Sequence, residues 1–381
     1  MSKVGDFVRS IPDSKHHFGR ADGIWRRIHI DPFLLVVLLA ITVFGFMVLY
    51  SGSGQSYSML RRQVAFFAVA YIGMFVVAQF DLQFLKRSAP LLYLFGIILL
   101  VLFYVIGVGA KGAQRWISLG FFRFQPSEVL KLAVPIAMAA FFSQRALPPK
   151  LKDVGFSLLI ILIPTGLILK QPDLGTSLLI AASGLIVLFL AGLKWRYICG
   201  SILVVLASLW PMWQFVMQDY QKQRVLTLLN PEEDRLGSGW NIIQSKTAIG
   251  SGGFDGKGWL QGTQSQLDFL PESHTDFIVA VLAEEFGLKG ILILMLLYGL
   301  LIGRGLYITI NARNNFNRLL AGGIVLTFFV YIFVNIGMVT GLLPVVGVPL
   351  PLVSLGGTSI VTLMSGFGIL MAIATDKAKR K

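Results

Sequence analysis

Long apolar runs recur along this chain from end to end, and they constrain its fold more than any other feature. The runs are roughly 17 to 22 residues long, which is enough for an α-helix to cross a ~30 Å hydrocarbon core. A backbone in lipid must satisfy its own N–H and C=O groups, so each spanning segment is predicted to be helical. Only 14% of the residues are charged, whereas a soluble globular chain carries about 25%. The sequence therefore predicts an all-α polytopic membrane protein.

About ten candidate spans can be placed on the sequence. They lie near residues 33–50, 64–80, 91–108, 127–142, 154–169, 174–192, 197–217, 288–303, 319–340 and 355–375. The first run is not followed by a small-residue cleavage site, which indicates a retained span and not a signal peptide. We predict one membrane domain over residues 1–381, with a single long loop, residues 218–275, after span seven.

Basic residues in the short polar segments predict the orientation. The segment 1–32, the loops after the even-numbered spans and the tail 376–381 hold most of the 33 Lys and Arg residues. The positive-inside rule places this side in the cytoplasm, so both termini are predicted to be cytoplasmic and the loop 218–275 extracytoplasmic. The same rule accounts for much of the net charge of +14, so we do not predict nucleic acid as a partner. The single cysteine, Cys199, can form neither an internal disulfide nor a metal site.

Four polar clusters follow spans three, five, seven and nine, and by parity all four lie on the predicted outer side. They are residues 111–116 with 125–131, residues 171–176, residues 271–276 and residues 349–358. Each precedes a helix whose N-terminus points outward, and the free N–H groups of such a terminus favour an anion. Arg115 and Lys131 add positive charge, so the pattern predicts a phosphate or diphosphate site at the outer surface.

Each of these candidate residues also has a purely structural interpretation. Glu128 and Lys131 lie three residues apart on one helical face and could simply neutralise each other. Arg115 could anchor the chain at the membrane interface, and Asp173 could cap the helix of span six. The sequence leaves these alternatives open.

The end of the long loop carries Glu272, His274 and Asp276, just before a weakly amphipathic stretch and span eight. Asp276 suits a general base at the membrane surface, although it or Thr275 could equally be a helix cap. A metal site built from these side chains would lack the HExxH spacing. The run Ile249–Gly258 resembles a phosphate loop but lacks the Gly-Lys-Ser/Thr ending, so it is interpreted as a flexible turn.

These motifs together resemble the SEDS family, named for shape, elongation, division and sporulation. The resemblance rests on residues 262–278, 111–116, 125–131, 171–177 and 349–358, and it extends to the span count and the long loop after span seven. The run 262–266 and the short N-terminal segment favour the elongation branch over the division branch. Lys289 departs from the pattern, since the family more often has an apolar residue there.

The resemblance implies a peptidoglycan glycosyltransferase of cell elongation in the bacterial cytoplasmic (inner) membrane. Its substrate would be lipid II, a disaccharide-pentapeptide on undecaprenyl diphosphate, and its product a β-1,4 glycan strand. It further implies a class B penicillin-binding protein transpeptidase as partner, with other elongation-complex proteins and membrane lipids.

The resemblance also implies roles for particular residues. The essential aspartate of the family corresponds to Asp276, and its conserved basic and acidic positions correspond to Arg115, Lys131, Glu128 and Asp173. From the same motifs we expect further substrate-binding residues, namely Lys111, Gln125, Glu272, His274, Ser354 and Thr358.

The chemistry of that reaction indicates which role each residue would have. The donor sugar is α-linked and the product β-linked, so a single inverting displacement is expected. Asp276 would take the proton of the acceptor hydroxyl, and Arg115, Lys131 and the outward helix ends would stabilise the leaving diphosphate. A divalent cation, Mg²⁺ or Mn²⁺, could bridge the diphosphate, but the sequence shows no dedicated set of ligands for it.

Two other classes of function are weighed against this one. A lipid II flippase needs a polar path through the membrane, whereas the middles of these spans are nearly free of charge. A non-enzymatic scaffold of the elongation complex would not need Asp276. A polymerisation assay with and without this carboxylate separates the three.

Overall fold

The computed structural model describes residues 24–106, 108–110, 113–118, 123–171, 173–234, 238–267 and 269–376. Its helices are α1 Ile24–Arg27, α2 Pro32–Gly52, α3 Tyr57–Ala78, α4 Leu82–Ile106, α5 Pro126–Ser143, α6 Leu151–Leu169, α7 Leu174–Leu190, α8 Trp195–Pro211, α9 Asp219–Leu229, α10 Ser238–Gly252, α11 Thr263–Gln266, α12 Ile278–Ile310, α13 Asn315–Val339 and α14 Thr358–Thr375. Three short strands, β1 Val108–Ala110, β2 Ala113–Ser118 and β3 Arg123–Phe124, pair antiparallel in that order between α4 and α5.

The predicted all-α polytopic architecture is confirmed. In the described part of the chain, nine helices are long and apolar enough to cross a membrane: α2 to α6, α8 and α12 to α14. The shorter apolar helix α7 occupies the place of the predicted sixth span. The short sheet between α4 and α5 was not predicted, because its strands are brief and interrupted by polar residues.

The helices pack around a core of three of their number. More than half of the spanning window of α5, α13 and α14 is buried, with α3 packed on α14, α4 on α5 and α7 on α13. In contrast, α8 has no buried residue. A buried helix in such a bundle must match its neighbours closely, whereas an exposed one needs only to be apolar.

Span eight begins ten residues before its predicted start. Helix α12 starts at Ile278 and is interrupted only at Gly287, whose φ of 63° and ψ of −158° break the helical path. The first part of α12 is buried and includes Glu284 and Glu285. In the sequence this stretch is only weakly amphipathic because it carries two adjacent acidic residues, but the protein itself supplies their partners.

The segment Ile249–Gly258 ends α10 and forms a turn, as predicted, but this turn is packed against α12 and is not a free loop. Gly256 has a φ of 78°, and a Cβ added there would lie 2.2 Å from the carbonyl oxygen of Glu285. The backbone N–H groups of Lys257 and Gly258 donate to the carbonyl oxygens of Glu284 and Glu285, each at 2.9 Å. The glycines are therefore required for close backbone packing against α12.

The carboxylate of Glu284 anchors the long loop to α12. Its Oε1 accepts hydrogen bonds from Lys257 Nζ at 2.7 Å, from the N–H of Thr263 at 2.8 Å and from the N–H of Gln264 at 3.1 Å. The neighbouring Glu285 accepts from the Ser51 hydroxyl on α2. The loop is thus a packed subdomain containing α9, α10 and α11, and it leads into α12 through residues 271–277.

The orientation generates a labelling prediction. Thr247 lies exposed on α10 in the long loop, and Gln144 lies exposed where α5 ends. In a Cys199→Ser background, Thr247→Cys should react with a membrane-impermeant maleimide in intact spheroplasts, and Gln144→Cys should react only after permeabilisation. The reverse labelling pattern would refute the predicted orientation.

Candidate functional site

A polar cavity of about 260 Å³ lies where α5, α7 and α14 begin and where the chain enters α12. The segment 347–357 before α14 forms one of its walls. Six of the candidate residues line it together, namely Gln125, Glu128, Lys131, Asp173, Ser354 and Asp276. Residues from four separate sequence clusters therefore meet in one place.

Glu128 and Lys131 form a buried ion pair in the first turns of α5. Lys131 Nζ lies 2.6 Å from Glu128 Oε1, and the two side chains are only 11% and 4% exposed. The same ammonium lies 5.6 Å from the ring centroid of Tyr331 on α13. Within the described residues, Glu128 Oε2 is buried without a hydrogen-bond partner. The pair is therefore not self-contained, since one carboxylate oxygen still has acceptor capacity.

Asp173 has two roles in this arrangement. Its Oδ1 accepts from the N–H of Thr176 at 3.2 Å and so caps α7, as the structural interpretation predicted. Its Oδ2 accepts from Nε2 of Gln125 at 2.9 Å, which joins the starts of α5 and α7. The carboxylate is thus both a helix cap and part of the cavity wall.

Asp276 does not cap α12. The N-cap position of that helix is Phe277, and no side chain caps it. Within the described part of the chain no donor bonds to the Asp276 carboxylate, which faces the segment before α14. A Cβ added at Gly347, where φ is 74°, would lie 3.6 Å from Asp276 Oδ2. A glycine at this position lets the segment pass close to the carboxylate without strain.

The surroundings of Asp276 change its acidity. Burial raises the pKa of Asp276 to about 6, the negative charge of Glu272 adds to the rise, and the positive charge of Arg224 opposes it. A carboxylate with this pKa is a stronger base than an exposed aspartate and is still ionised at neutral pH.

The backbone around Asp276 is held by Asn335, a residue that the sequence reasoning missed. Asn335 is fully buried on α13, and its Nδ2 donates to the carbonyl oxygens of Asp276 at 2.9 Å and Val348 at 2.7 Å. The amide thereby joins the start of α12 to the segment before α14. The available signal was a polar side chain inside an apolar run, which is costly unless it has a purpose.

Ser354 and Gln63 form a second set of hydrogen bonds that holds the segment before α14. The Ser354 hydroxyl donates to the Thr275 carbonyl at 2.5 Å and accepts from the N–H of Leu350 at 2.8 Å, so protein groups already engage it. Gln63 on α3 donates from Nε2 to the Ser354 carbonyl at 2.9 Å and accepts from the N–H of Gly356 at 3.1 Å. Gln63 was also missed, although it too lies buried at the start of an apolar run.

Three candidates lie beside the cavity without lining it. Glu272 is exposed and accepts from the Thr275 hydroxyl at 2.7 Å, and the backbone carbonyl of His274 accepts from the N–H of Leu355 at 2.8 Å. Thr358 opens α14, and its hydroxyl is buried with no partner among the described residues. Glu272 acts on the site through its charge, while His274 contributes through its backbone.

The remaining two candidates lie wholly or partly outside the described residues. Lys111 lies outside the described residues, and Arg115 lies on β2 with its side chain outside them. Their roles stay predictions. The described residues contain no group of three or more His, Cys, Asp or Glu side chains close enough to hold a metal ion.

A large apolar groove meets the polar cavity at Glu128. The groove has a volume of about 570 Å³ and runs between α3, α4, α5 and α14. Phe84, Leu92 and Phe95 of α4 face Val129 of α5 across it, and Glu128 lines both spaces. An apolar channel and a charged cavity thus share a boundary, which suits an amphipathic ligand.

Comparison with known proteins agrees with this arrangement. The family model for FtsW, RodA and SpoVE, described as a cell cycle protein family, matches residues 32–379. Peptidoglycan glycosyltransferase MrdB of Escherichia coli (strain K12) is 55% identical over 353 residues, covering 93% of this chain and 95% of that protein. The probable peptidoglycan glycosyltransferase FtsW of Trichlorobacter lovleyi is 38% identical over 92% of this chain and 94% of that protein.

Solved structures share the fold. A chain of a peptidoglycan synthase complex, studied for the coordination of polymerization and crosslinking, superposes with a TM-score of 0.81 at 31% identity over 92% of this chain and 99% of that chain. The rod shape determining protein RodA of Thermus thermophilus superposes with a TM-score of 0.70 at 28% identity, over 92% and 98% of the two chains. The chain therefore belongs to the FtsW/RodA/SpoVE family, which is the SEDS family, and it resembles the elongation members.

Proposed function

We propose that this chain polymerises lipid II into β-1,4 glycan strands on the outer face of the bacterial cytoplasmic membrane during cell elongation, with Asp276 as the catalytic base. Its family and its similarity to MrdB over nearly the whole chain make it a peptidoglycan glycosyltransferase. The observation that carries the mechanism is the Asp276 carboxylate, which accepts no hydrogen bond from the described residues and lies in one cavity with the Lys131 ammonium.

The reaction needs one base and one site of positive charge. The oxygen of the acceptor 4-hydroxyl attacks the anomeric carbon of the donor sugar, and its proton passes to the Asp276 carboxylate. As the new β bond forms, the bond from the anomeric carbon to the diphosphate oxygen breaks, and the electron pair leaves with undecaprenyl diphosphate. One displacement accounts for inversion of an α-linked donor.

Lys131 and the helix ends supply the positive charge. The Lys131 ammonium bonds to Glu128 and also interacts with the Tyr331 hydroxyl, which leaves its third N–H to donate to a phosphate oxygen. The N-terminal ends of α5, α7 and α14 also meet at the cavity, and their free N–H groups favour the charge that develops on the leaving group. We retain Arg115 in this proposal as a second cation.

The apolar groove supports a lipid-linked substrate. With the diphosphate beside Lys131, the first isoprene units would enter the groove at Glu128 and continue along α4 and α5. Burial of apolar chain stabilises binding by about 0.8 kcal/mol for each CH₂ group in water, but far less when the chain leaves lipid. The groove therefore orients the substrate more than it adds affinity.

A divalent cation, Mg²⁺ or Mn²⁺, remains part of the proposal. Asp173 and Glu128 offer carboxylate oxygens at the cavity, so an ion there would be shared with substrate phosphates and not enclosed by the protein. When bound, such an ion would neutralise diphosphate charge.

A crosslinking partner fits the same assignment. We propose a class B penicillin-binding protein transpeptidase, which would join the strands that this chain releases, within the larger elongation complex and in contact with membrane lipids. The likeness to one chain of a peptidoglycan synthase complex supports this partnership.

The first prediction tests the base. Asp276→Asn keeps size and polarity but removes the titratable carboxylate, so lipid II polymerisation by the purified protein should fall by about 10² to 10⁴. The fold should survive, since the carboxylate accepts no hydrogen bond in the described residues. Asp255→Asn, at an exposed aspartate of the same loop that pairs with Lys289, is the matched control and should stay active.

Asp276→Glu should retain partial activity, because it keeps the charge and displaces it by one methylene. Near wild-type polymerisation by Asp276→Asn would refute the assignment. It would also agree with a scaffold, which needs no base.

The second prediction concerns pH. Because a base must be ionised, the rate of polymerisation should rise with pH through about 6 and level off above it. Glu272→Gln removes a neighbouring negative charge, so it should lower the pKa of Asp276. The rising part of the pH–rate profile, its acidic limb, should then move to lower pH. Arg224→Gln should shift the limb to higher pH. Initial rates of polymerisation from pH 4.5 to 8, measured for the wild type and both variants, give these profiles. Acidic limbs that do not move in opposite directions in the two variants would contradict the assignment of Asp276 as the titrating base.

The third prediction separates charge supply from simple pairing at Glu128 and Lys131. Removal of Lys131 alone leaves a buried carboxylate unpaired, which typically costs about 3–5 kcal/mol of stability. The double variant Glu128→Gln/Lys131→Met avoids that cost, and it should remain folded while polymerisation falls by about 10² to 10³.

The control for this double variant is Arg145→Gln/Asp153→Asn, which neutralises the ion pair of 2.7 Å at the far end of α5. It should polymerise normally. The measurements are thermal unfolding and the rate of polymerisation for each double variant. A folded Glu128→Gln/Lys131→Met protein with normal activity would show that the ion pair has only a structural role.

A further inference from the structure

A second polar cavity lies at the opposite end of the bundle. Helices α5 and α14 begin at the cavity of Asp276, and their far ends meet the first residues of α4 and α13 around a space of about 490 Å³. The polar and charged side chains that line it include Asp81, Gln83, Lys86, Arg313, Asn317 and Asp376. The proposed glycosyl transfer uses none of these residues.

Asn317 presents an unused acceptor in this lining. The residue is 1% exposed, and its Nδ2 donates to Asp376 Oδ2 at 2.9 Å. A carboxylate only accepts, so this bond identifies the nitrogen, and the remaining atom must be the carbonyl oxygen. That oxygen, Oδ1, is buried without a partner among the described residues. Buried polar atoms are nearly always hydrogen-bonded, so Oδ1 indicates a ligand that donates.

The charges of the cavity are of both signs. Asp81 and Asp376 are acidic, whereas Lys86 and Arg313 are basic. In the described ranges, no carboxylate forms an ion pair with Lys86. An anion alone would leave the acidic residues and the Asn317 oxygen unmatched, and a simple cation would leave Lys86 unmatched. A ligand that carries an N–H-bearing cation and an anion a few bonds apart matches both halves.

An apolar surface adjoins this cavity on the lipid side. Phe80 just before α4 and Phe84 in its first turn flank Asp81, with 52% and 61% of their surface exposed, and they line the end of the apolar groove away from Glu128. Their rings stack with centroids 6.3 Å apart. In a membrane-spanning bundle such rings contact acyl chains, so a ligand here can have a polar head in the cavity and a tail in lipid.

We propose that this cavity binds the headgroup of a zwitterionic phospholipid with a primary ammonium, of the ethanolamine type. The ammonium donates to Asn317 Oδ1 and to the Asp376 carboxylate, and the phosphodiester lies beside Lys86 and Arg313. The acyl chains run along Phe80 and Phe84. A choline headgroup has the same charges but no N–H to donate, so the site discriminates against it.

Native mass spectrometry of the detergent-purified full chain tests this site, with phosphatidylethanolamine, phosphatidylcholine and phosphatidylglycerol of the same acyl chains. The ethanolamine lipid should be retained about tenfold better than the choline lipid, the difference expected for a hydrogen bond to a charged donor. Lys86→Ala should reduce its retention by a similar factor. Arg87→Ala removes the same charge from the next residue, which does not line the cavity, and should change nothing.

Asn317→Leu probes the acceptor itself and should abolish the preference for ethanolamine over choline. If that variant fails to fold, the comparison of Lys86→Ala with Arg87→Ala and of the two lipids still decides the question. Equal retention of the two zwitterionic lipids, preference for phosphatidylglycerol, or equal behaviour of the two alanine variants would each overturn the proposal. Soluble glycerophosphoethanolamine that binds as tightly as the lipid would assign the site to a free metabolite and overturn the lipid assignment. No outcome depends on glycosyltransferase activity.

Discussion

Lipid offers no hydrogen-bond partner, so a polar group inside this bundle must find its partner within the chain. The structure around Asp276 follows from that constraint. The Asn335 amide joins the start of α12 to the segment before α14. Gln63 ties the same segment to α3, and the Ser354 hydroxyl ties it to the Thr275 carbonyl. With its backbone neighbours engaged, Asp276 keeps a carboxylate to which no group in the described part of the chain donates, which suits a base that acts on a substrate.

The same constraint explains the ion pair beside it. Glu128 holds the Lys131 ammonium at the entrance of α5, where it would otherwise be costly to bury. The pair lies where the polar cavity meets the apolar groove, so charge for a diphosphate and space for an isoprenoid chain are adjacent. At the other end of α5 and α14, Asn317 shows the converse case, a buried acceptor that has no partner among the described residues.

Much of the fold could be predicted from the sequence, because the length and apolarity of a spanning helix are local properties. The spans, the long loop and the clustering of Gln125, Glu128, Lys131, Asp173 and Asp276 at one end of the bundle were all accessible in this way. The start of α12 was not, since Glu284 and Glu285 look like surface residues until Lys257, Thr263 and Ser51 are brought to them. The packing of the glycines of Ile249–Gly258 was missed for the same reason, because their backbone contacts lie about thirty residues away in sequence.

The sequence by itself determined that this chain crosses a membrane many times and that its chemistry lies in four polar clusters between helices, since hydrophobic length and helix parity depend only on the order of residues. The tertiary structure decided which oxygen of Asp173 caps a helix, that Asp276 caps none, and that Ser354 braces the Thr275 carbonyl. Those distinctions depend on which atoms from distant segments lie within about 3 Å of one another, and only the packed bundle sets such distances.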